Sequence, residues 1–245
     1  MAFLDALRFL TIIPIRRRRI PQGTELASSM AYFPLVGAVL GSILALVDIL
    51  LSHSWSNPLV AAFTVVALVI LTGGLHLDGL ADTIDGLLGG RSRGEKLRIM
   101  EGSTIGTFGA LALLCTLLLK FALLMELPDP LRRKALFLVP MLGRWAMVYA
   151  AFLSPAAKER GMGSVFKAGG LGKGFALATI TAVTLSLLFG VWGLALLAGI
   201  WLATALLSLA IARQLGGLTG DTYGALCEID ELLGLGLFNL LAGFV

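Results

Sequence analysis

The chain has 245 residues, of which 58% are hydrophobic and 14% charged, with 30 glycines, two cysteines and a net charge of +4. Soluble domains run nearer half apolar and a quarter charged, so this composition, with a mean hydropathy of +0.93, excludes a soluble globular domain and a disordered or collagen-like chain. What remains is an all-α polytopic integral membrane protein with short loops, one domain over residues 1–245, whose glycines suit helices packed backbone to backbone.

Residues 1–14 read as a short amphipathic helix with Phe3, Leu4, Leu7 and Leu10 on one face. It is too short to span, and Arg16 to Arg19 follow it, which places it in the interface plane of the bilayer. Asp5 inside the run, and basic residues after it instead of before it, argue against a cleavable signal peptide. Apolar runs then fall near Met30–Leu51, Pro58–Leu75, Gly106–Met125, Ala135–Leu153, Phe175–Phe189, Val191–Ala212 and Leu232–Val245. They predict about seven transmembrane helices. Cys115 and Cys227 stand far apart with no metal-ligand spacing around them, and read as packing residues.

Positive charge sets the orientation. With the N-terminus inside, Arg8, Arg16 to Arg19, Arg91, Arg93, Lys96, Arg98, Lys158, Arg160, Lys167, Lys173 and Arg213 share one side, against Arg132, Arg133 and Lys134 on the other. This predicts a multi-pass protein of the cytoplasmic (inner) membrane with a cytoplasmic N-terminus. Most acids follow the same loops, so the working face is cytoplasmic.

The densest chemical signal is the stretch from Leu71 to Leu87, where Asp78, Asp82 and Asp85 stand at i, i+4 and i+7. That spacing puts three carboxylates on one helix face, where they repel unless a cation sits among them. Hard oxygen donors beside phosphates suit Mg²⁺. His76 beside them reads as a ligand, a base or a cap of the span.

A second signal is Gly216-Gly217-Leu218-Thr219-Gly220-Asp221. Its glycines let backbone N–H groups approach an anion, with Gly217 and Gly220 the phosphate-facing positions, and Asp221 adds a fourth carboxylate to the metal set. Ser103, in the run from Gly102 to Thr107, is a further anion contact at a helix start, and Arg160 and Lys167 offer cations to a phosphate. Three charges fall within spans. Arg144 is placed to reach an anion or an aspartate in a polar cavity, while Lys120 and Asp48 read as snorkelling to the interface.

The run from Gly74 to Gly86, with Tyr32 to Gly37, Ile105-Gly106-Thr107 and Gly216 to Asp221 with Gly224, Ala225 and Glu228, closely resembles the cobalamin synthase family, adenosylcobinamide-GDP ribazoletransferases. The matches keep family order along nearly the whole chain. Three positions depart from it: Gly102 and Thr104, in a stretch where the family has Asp-Ser-Arg, and Ile12, which stands where it has arginine. The resemblance implies a Mg²⁺-dependent transfer of the adenosylcobinamide-phosphate group from adenosylcobinamide-GDP to α-ribazole or its 5′-phosphate, with release of GMP. It implies that Asp78, Asp82, Asp85 and Asp221 hold the metal on the diphosphate, and that Asp85, Asp82 or His76 takes the hydroxyl proton. Partners are then small molecules and the lipid bilayer, with no nucleic acid and with room for a homo-oligomer. A CDP-alcohol-type phosphotransferase and a cation transporter stand as the alternatives.

Overall fold

A computed structural model describes residues 1–15, 23–159, 161–167 and 171–242. Every element in them is helical apart from one isolated bridge, Ala156 to Leu218. In chain order the helices are α1 (Ala2–Leu10), α2 (Thr24–Ser29), α3 (Phe33–Ser52), α4 (Asn57–Thr72), α5 (Leu75–Gly89), α6 (Arg93–Met100), α7 (Thr107–Glu126), α8 (Asp129–Leu153), α9 (Met162–Lys167), α10 (Leu171–Leu187), α11 (Gly190–Leu215) and α12 (Gly220–Ala242). The arginines at 16–19 and Arg160 lie outside the described residues, and Lys167 is described only as the last residue of α9.

Helix α8 is the axis of the bundle. Leu138 to Ala151 are buried without a break, so no face of it meets lipid. It is also where backbones come closest. A Cβ on Gly37 would lie 2.4 Å from the Pro140 carbonyl oxygen, and one on Gly41 would lie 2.6 Å from that of Leu136. Pro140 lacks the N–H that would bond Leu136, so the glycine face of α3 packs where the α8 ladder is open.

Among the described residues, four helices are long and apolar enough to cross a membrane, residues 25–52, α7, α8 and α11, and a fifth crossing is made if α4 and α5 count as one broken span. Seven spans were expected. The helices are there, but α10 is short, and α12 carries Asp221, Glu228, Asp230 and Glu231, which take it out of the apolar class.

The chain alternates so that the ends of α4, α8 and α11 and the starts of α7, α10 and α12 meet at one pole. Its loops are knitted by direct bonds. Arg93 donates to the Leu215 and Ala157 carbonyls, both at 2.7 Å, and Lys158 pairs with Glu101 at 2.6 Å. Leu218 exchanges backbone bonds with Pro155 and Ala157, and the Ile12 N–H reaches the Leu71 carbonyl at 2.9 Å. The segments expected to converge on one face do converge, and α1 with its trailing residues is docked onto them. The helix stops at Leu10, four residues short of Pro14, with Thr11 already extended.

Candidate active site

The site is built around a corner. Gly73 and Gly74 follow α4 with φ of +61° and +69°, and α5 leaves at 88° to it. Two successive left-handed residues are cheap only for glycine, which is why the break falls here and not at an arbitrary loop. Helix α5 then crosses the first turns of α12. A Cβ on Gly79 would stand 2.7 Å from the Asp221 carbonyl oxygen, and one on Gly224 would stand 3.2 Å from the His76 Cα. The two glycines bring Asp78 and Asp82 beside Asp221.

The start of α12 is fixed by a reciprocal pair. The Thr219 N–H bonds the Thr222 hydroxyl at 2.8 Å, and the Thr222 N–H returns to the Thr219 hydroxyl at 3.3 Å. This is a capping-box arrangement with threonine at both ends. Asp78 is exposed, and Asp82 and Asp221 are half-buried. Partial burial, and then the charges of Asp78, Asp221 and Asp85, push the Asp82 carboxyl up from 3.8 to about 6. Burial also raises Asp221, against the hydroxyl of Thr219 and the charge of Lys158. The described residues place no salt-bridge partner on these three acids. Nor do any three Asp, Glu, His or Cys side chains among them already converge on one metal position.

Asp85 does something else. It is buried, and its two oxygens accept the backbone N–H groups of Gly106 and Gly109 at 2.7 and 2.8 Å. It therefore caps α7 across space, a charge placed on a helix N-terminus. The structure thus sets Asp85 apart from Asp78, Asp82 and Asp221, and the helix start near Ser103 already holds the protein's own anion. Ser103 itself is exposed in the loop before it.

Arg144 and His76 also part from the expected site. Arg144 is fully buried and pairs with Glu231, while its second guanidinium nitrogen lies 3.2 Å from His76 Nδ1. A guanidinium only donates, so Nδ1 accepts and the proton sits on Nε2, which is buried without a partner among the described residues. Arg144 is thus engaged by Glu231 within the bundle, and His76 faces the same interior instead of the polar pole. Lys120 does not snorkel. It is 3% exposed and bonds both Glu228, at 2.7 Å, and Glu231. Asp48 is likewise buried, held by Arg132 at 2.5 Å and Arg133 at 2.9 Å. Two in-span bases, and two acids three residues apart just before the last apolar run, were the signal in the sequence for this core, since each buried charge needs an opposite one.

Of the glycine loop, Gly220 borders a polar pocket of about 180 Å³ with Lys158, Glu101, Thr219 and Asp221. Gly217 does not. Its missing Cβ would lie 2.6 Å from the Pro155 carbonyl oxygen, so its close approach is to the chain's own backbone. The pole thus joins carboxylates without salt bridges among the described residues, a lysine paired with Glu101 and a helix start capped by Thr219 and Thr222, a combination that suits an anionic substrate carried by a cation.

A family model described as cobalamin-5-phosphate synthase matches residues 2–239. The chain belongs to the cobalamin-5-phosphate synthase family. Proteins named adenosylcobinamide-GDP ribazoletransferase from Roseiflexus sp., Desulforamulus reducens and Klebsiella pneumoniae are 45%, 44% and 38% identical to it. The alignments cover 97%, 92% and 95% of this chain and 89%, 91% and 96% of those relatives. No solved structure matches it.

Proposed function

We propose that this protein is an adenosylcobinamide-GDP ribazoletransferase whose Asp78, Asp82 and Asp221 hold Mg²⁺ on the donor's diphosphate. The observation that carries the reading is that three carboxylates with no salt bridge among the described residues stand near one another at a pole that also bears Lys158 and the start of α12. A cluster of three carboxylates can supply its protein ligands, because Mg²⁺ is commonly held by one or two carboxylates, waters and the substrate's own phosphate oxygens. When bound, the ion neutralises charge developing on the diphosphate.

The protein's own residues do the rest by positioning. Lys158, exchanging Glu101 for the substrate, and the Gly220 N–H at the start of α12 receive phosphate oxygens. A ribose hydroxyl of α-ribazole, or of its 5′-phosphate, attacks the cobinamide-side phosphorus. The new P–O bond forms as the bridging P–O bond breaks, and GMP leaves with that oxygen. The hydroxyl proton passes to a carboxylate of the cluster. The pole faces the cytoplasm with the N-terminus on the same side, as the distribution of Lys and Arg favours.

Purified protein in nanodiscs, given adenosylcobinamide-GDP, α-ribazole and Mg²⁺, should release GMP, stop on EDTA and recover on added Mg²⁺. Release unaffected by EDTA would remove the metal from the reading, and no release at all would remove the reaction.

A further inference from the structure

The acid cluster has two unlike neighbours. On the Asp221 side lies the polar pocket with Lys158. On the Asp78 side lies a wide groove of about 590 Å³ between the residues trailing α1, the corner at Gly73-Gly74 and α7. Its wall is made by Phe9, Ile12, Leu75, Leu77 and Leu113, with Asp78 at its margin and no basic residue among the described lining. The wall is pre-formed. Ile12 is tied by its N–H to Leu71, and its side chain lies over Gly73, where an added Cβ would meet it at 2.9 Å. Yet Ile12 and Leu75 stay 56% and 39% exposed.

We infer that this groove receives the aromatic base of the acceptor nucleoside, so that donor and acceptor reach the acid cluster from opposite sides. The assignment rests on the transferase reading above and adds to it where the second substrate sits. Charge selects the occupant. The described lining offers a diphosphate a carboxylate and no cation, whereas Lys158 lies in the pocket on the Asp221 side. An apolar wall favours a flat ring with little to hydrogen-bond, and the volume holds a bicyclic base with its ribose. A corrin with its fringe of amides is larger and polar at its edges. With the base against Ile12 and Leu113, the ribose lies toward Asp78, next to the carboxylates that would take its proton.

Two variants and two readouts test this. Leu113→Trp fills the groove, and Ile12→Ala trims an exposed side chain whose backbone bond is kept. Each should raise the KM for α-ribazole by about tenfold, the scale of a lost or blocked apolar contact, and leave that for adenosylcobinamide-GDP within about twofold. In parallel, the intrinsic fluorescence of α-ribazole should change on adding the parent protein, and this binding should weaken in both variants. A raised KM for the donor with that for the acceptor unchanged, or no change in either, overturns the assignment. If the parent releases no GMP, the transferase reading falls, and the groove is judged by the fluorescence titration alone. Binding that is equal in parent and variants overturns it there.

Discussion

Two charged clusters lie within a few turns of each other, and they are built on opposite rules. In the bundle interior Lys120, Arg144, Glu228 and Glu231 are matched two against two, dry, and within bonding distance of each other. At the pole Asp78, Asp82 and Asp221 are all of one sign and reached by solvent. The first arrangement satisfies itself and has nothing left for a ligand. The second is incomplete, and only something brought from outside completes it. The residue types are nearly the same, so the division between scaffold and site lies in charge balance and not in chemistry.

The sharpest way to break this contrast is to remove one acid from each cluster. Glu231→Gln leaves two buried cations with one carboxylate, and should cost about 3–5 kcal/mol, seen as loss of folded protein or a lower unfolding temperature. Asp78→Asn, Asp82→Asn and Asp221→Asn should instead keep or raise the unfolding temperature in EDTA, since each removes like-charge repulsion. GMP release should nevertheless fall by about 10²–10³-fold, the usual loss when a transition-state charge loses a partner. If the interior and polar variants behaved alike in both measurements, the contrast would be wrong.

Gly79→Ala asks whether the helix crossing matters apart from the charges. Its Cβ would meet the Asp221 carbonyl oxygen at 2.7 Å, so overpacking of about 1–3 kcal/mol should outweigh the gain in helix propensity and lower activity with every acid still present. Activity equal to the parent's would mean that the crossing has slack.

Acidity gives a finer test. Between its ordinary value of 3.8 and about 6, Asp82 holds a proton in the native state more than in the unfolded one. Stability without metal should therefore fall as pH rises through that window. Mg²⁺ binding needs the ionised form, so affinity should weaken roughly tenfold per pH unit below about 6 and level off above it. A titration of Mg²⁺ affinity in Asp82→Asn should lose that slope.

The smallest effect is expected at Asp85→Asn. One oxygen still accepts an N–H from α7, so the loss should be about 1 kcal/mol of stability, the scale of a cap, with Mg²⁺ dependence retained. Abolished Mg²⁺ dependence would return Asp85 to the metal.

The class of fold was open to reading because composition and run length report burial in lipid directly. So was the acidic stripe, because periodicity reports a helix face. What periodicity does not report is which turn of that face is covered by another helix. Asp78 and Asp85 share a face, yet α7 begins over one of them and not the other. Depth along a span was a poor guide for Lys120 and Asp48 for a similar reason: a charge near a helix end goes to water only if no opposite charge on a neighbouring helix is nearer. Arg144 was rightly placed in the interior, but its partner is Glu231, which lay in a run that reads as loop-proximal.

The corner at Gly73-Gly74 also works as a length adjuster. Had α4 run straight on, Asp82 would stand about 15 Å beyond Thr72 along the helix axis, ten residues at about 1.5 Å each. The bend of 88° converts that climb into a sideways reach. The acids of α5 therefore stay level with the start of α12, and small changes in the corner act through a lever of more than a turn. Lengthening or stiffening that corner would change the gap between Asp82 and Asp221 without touching either residue.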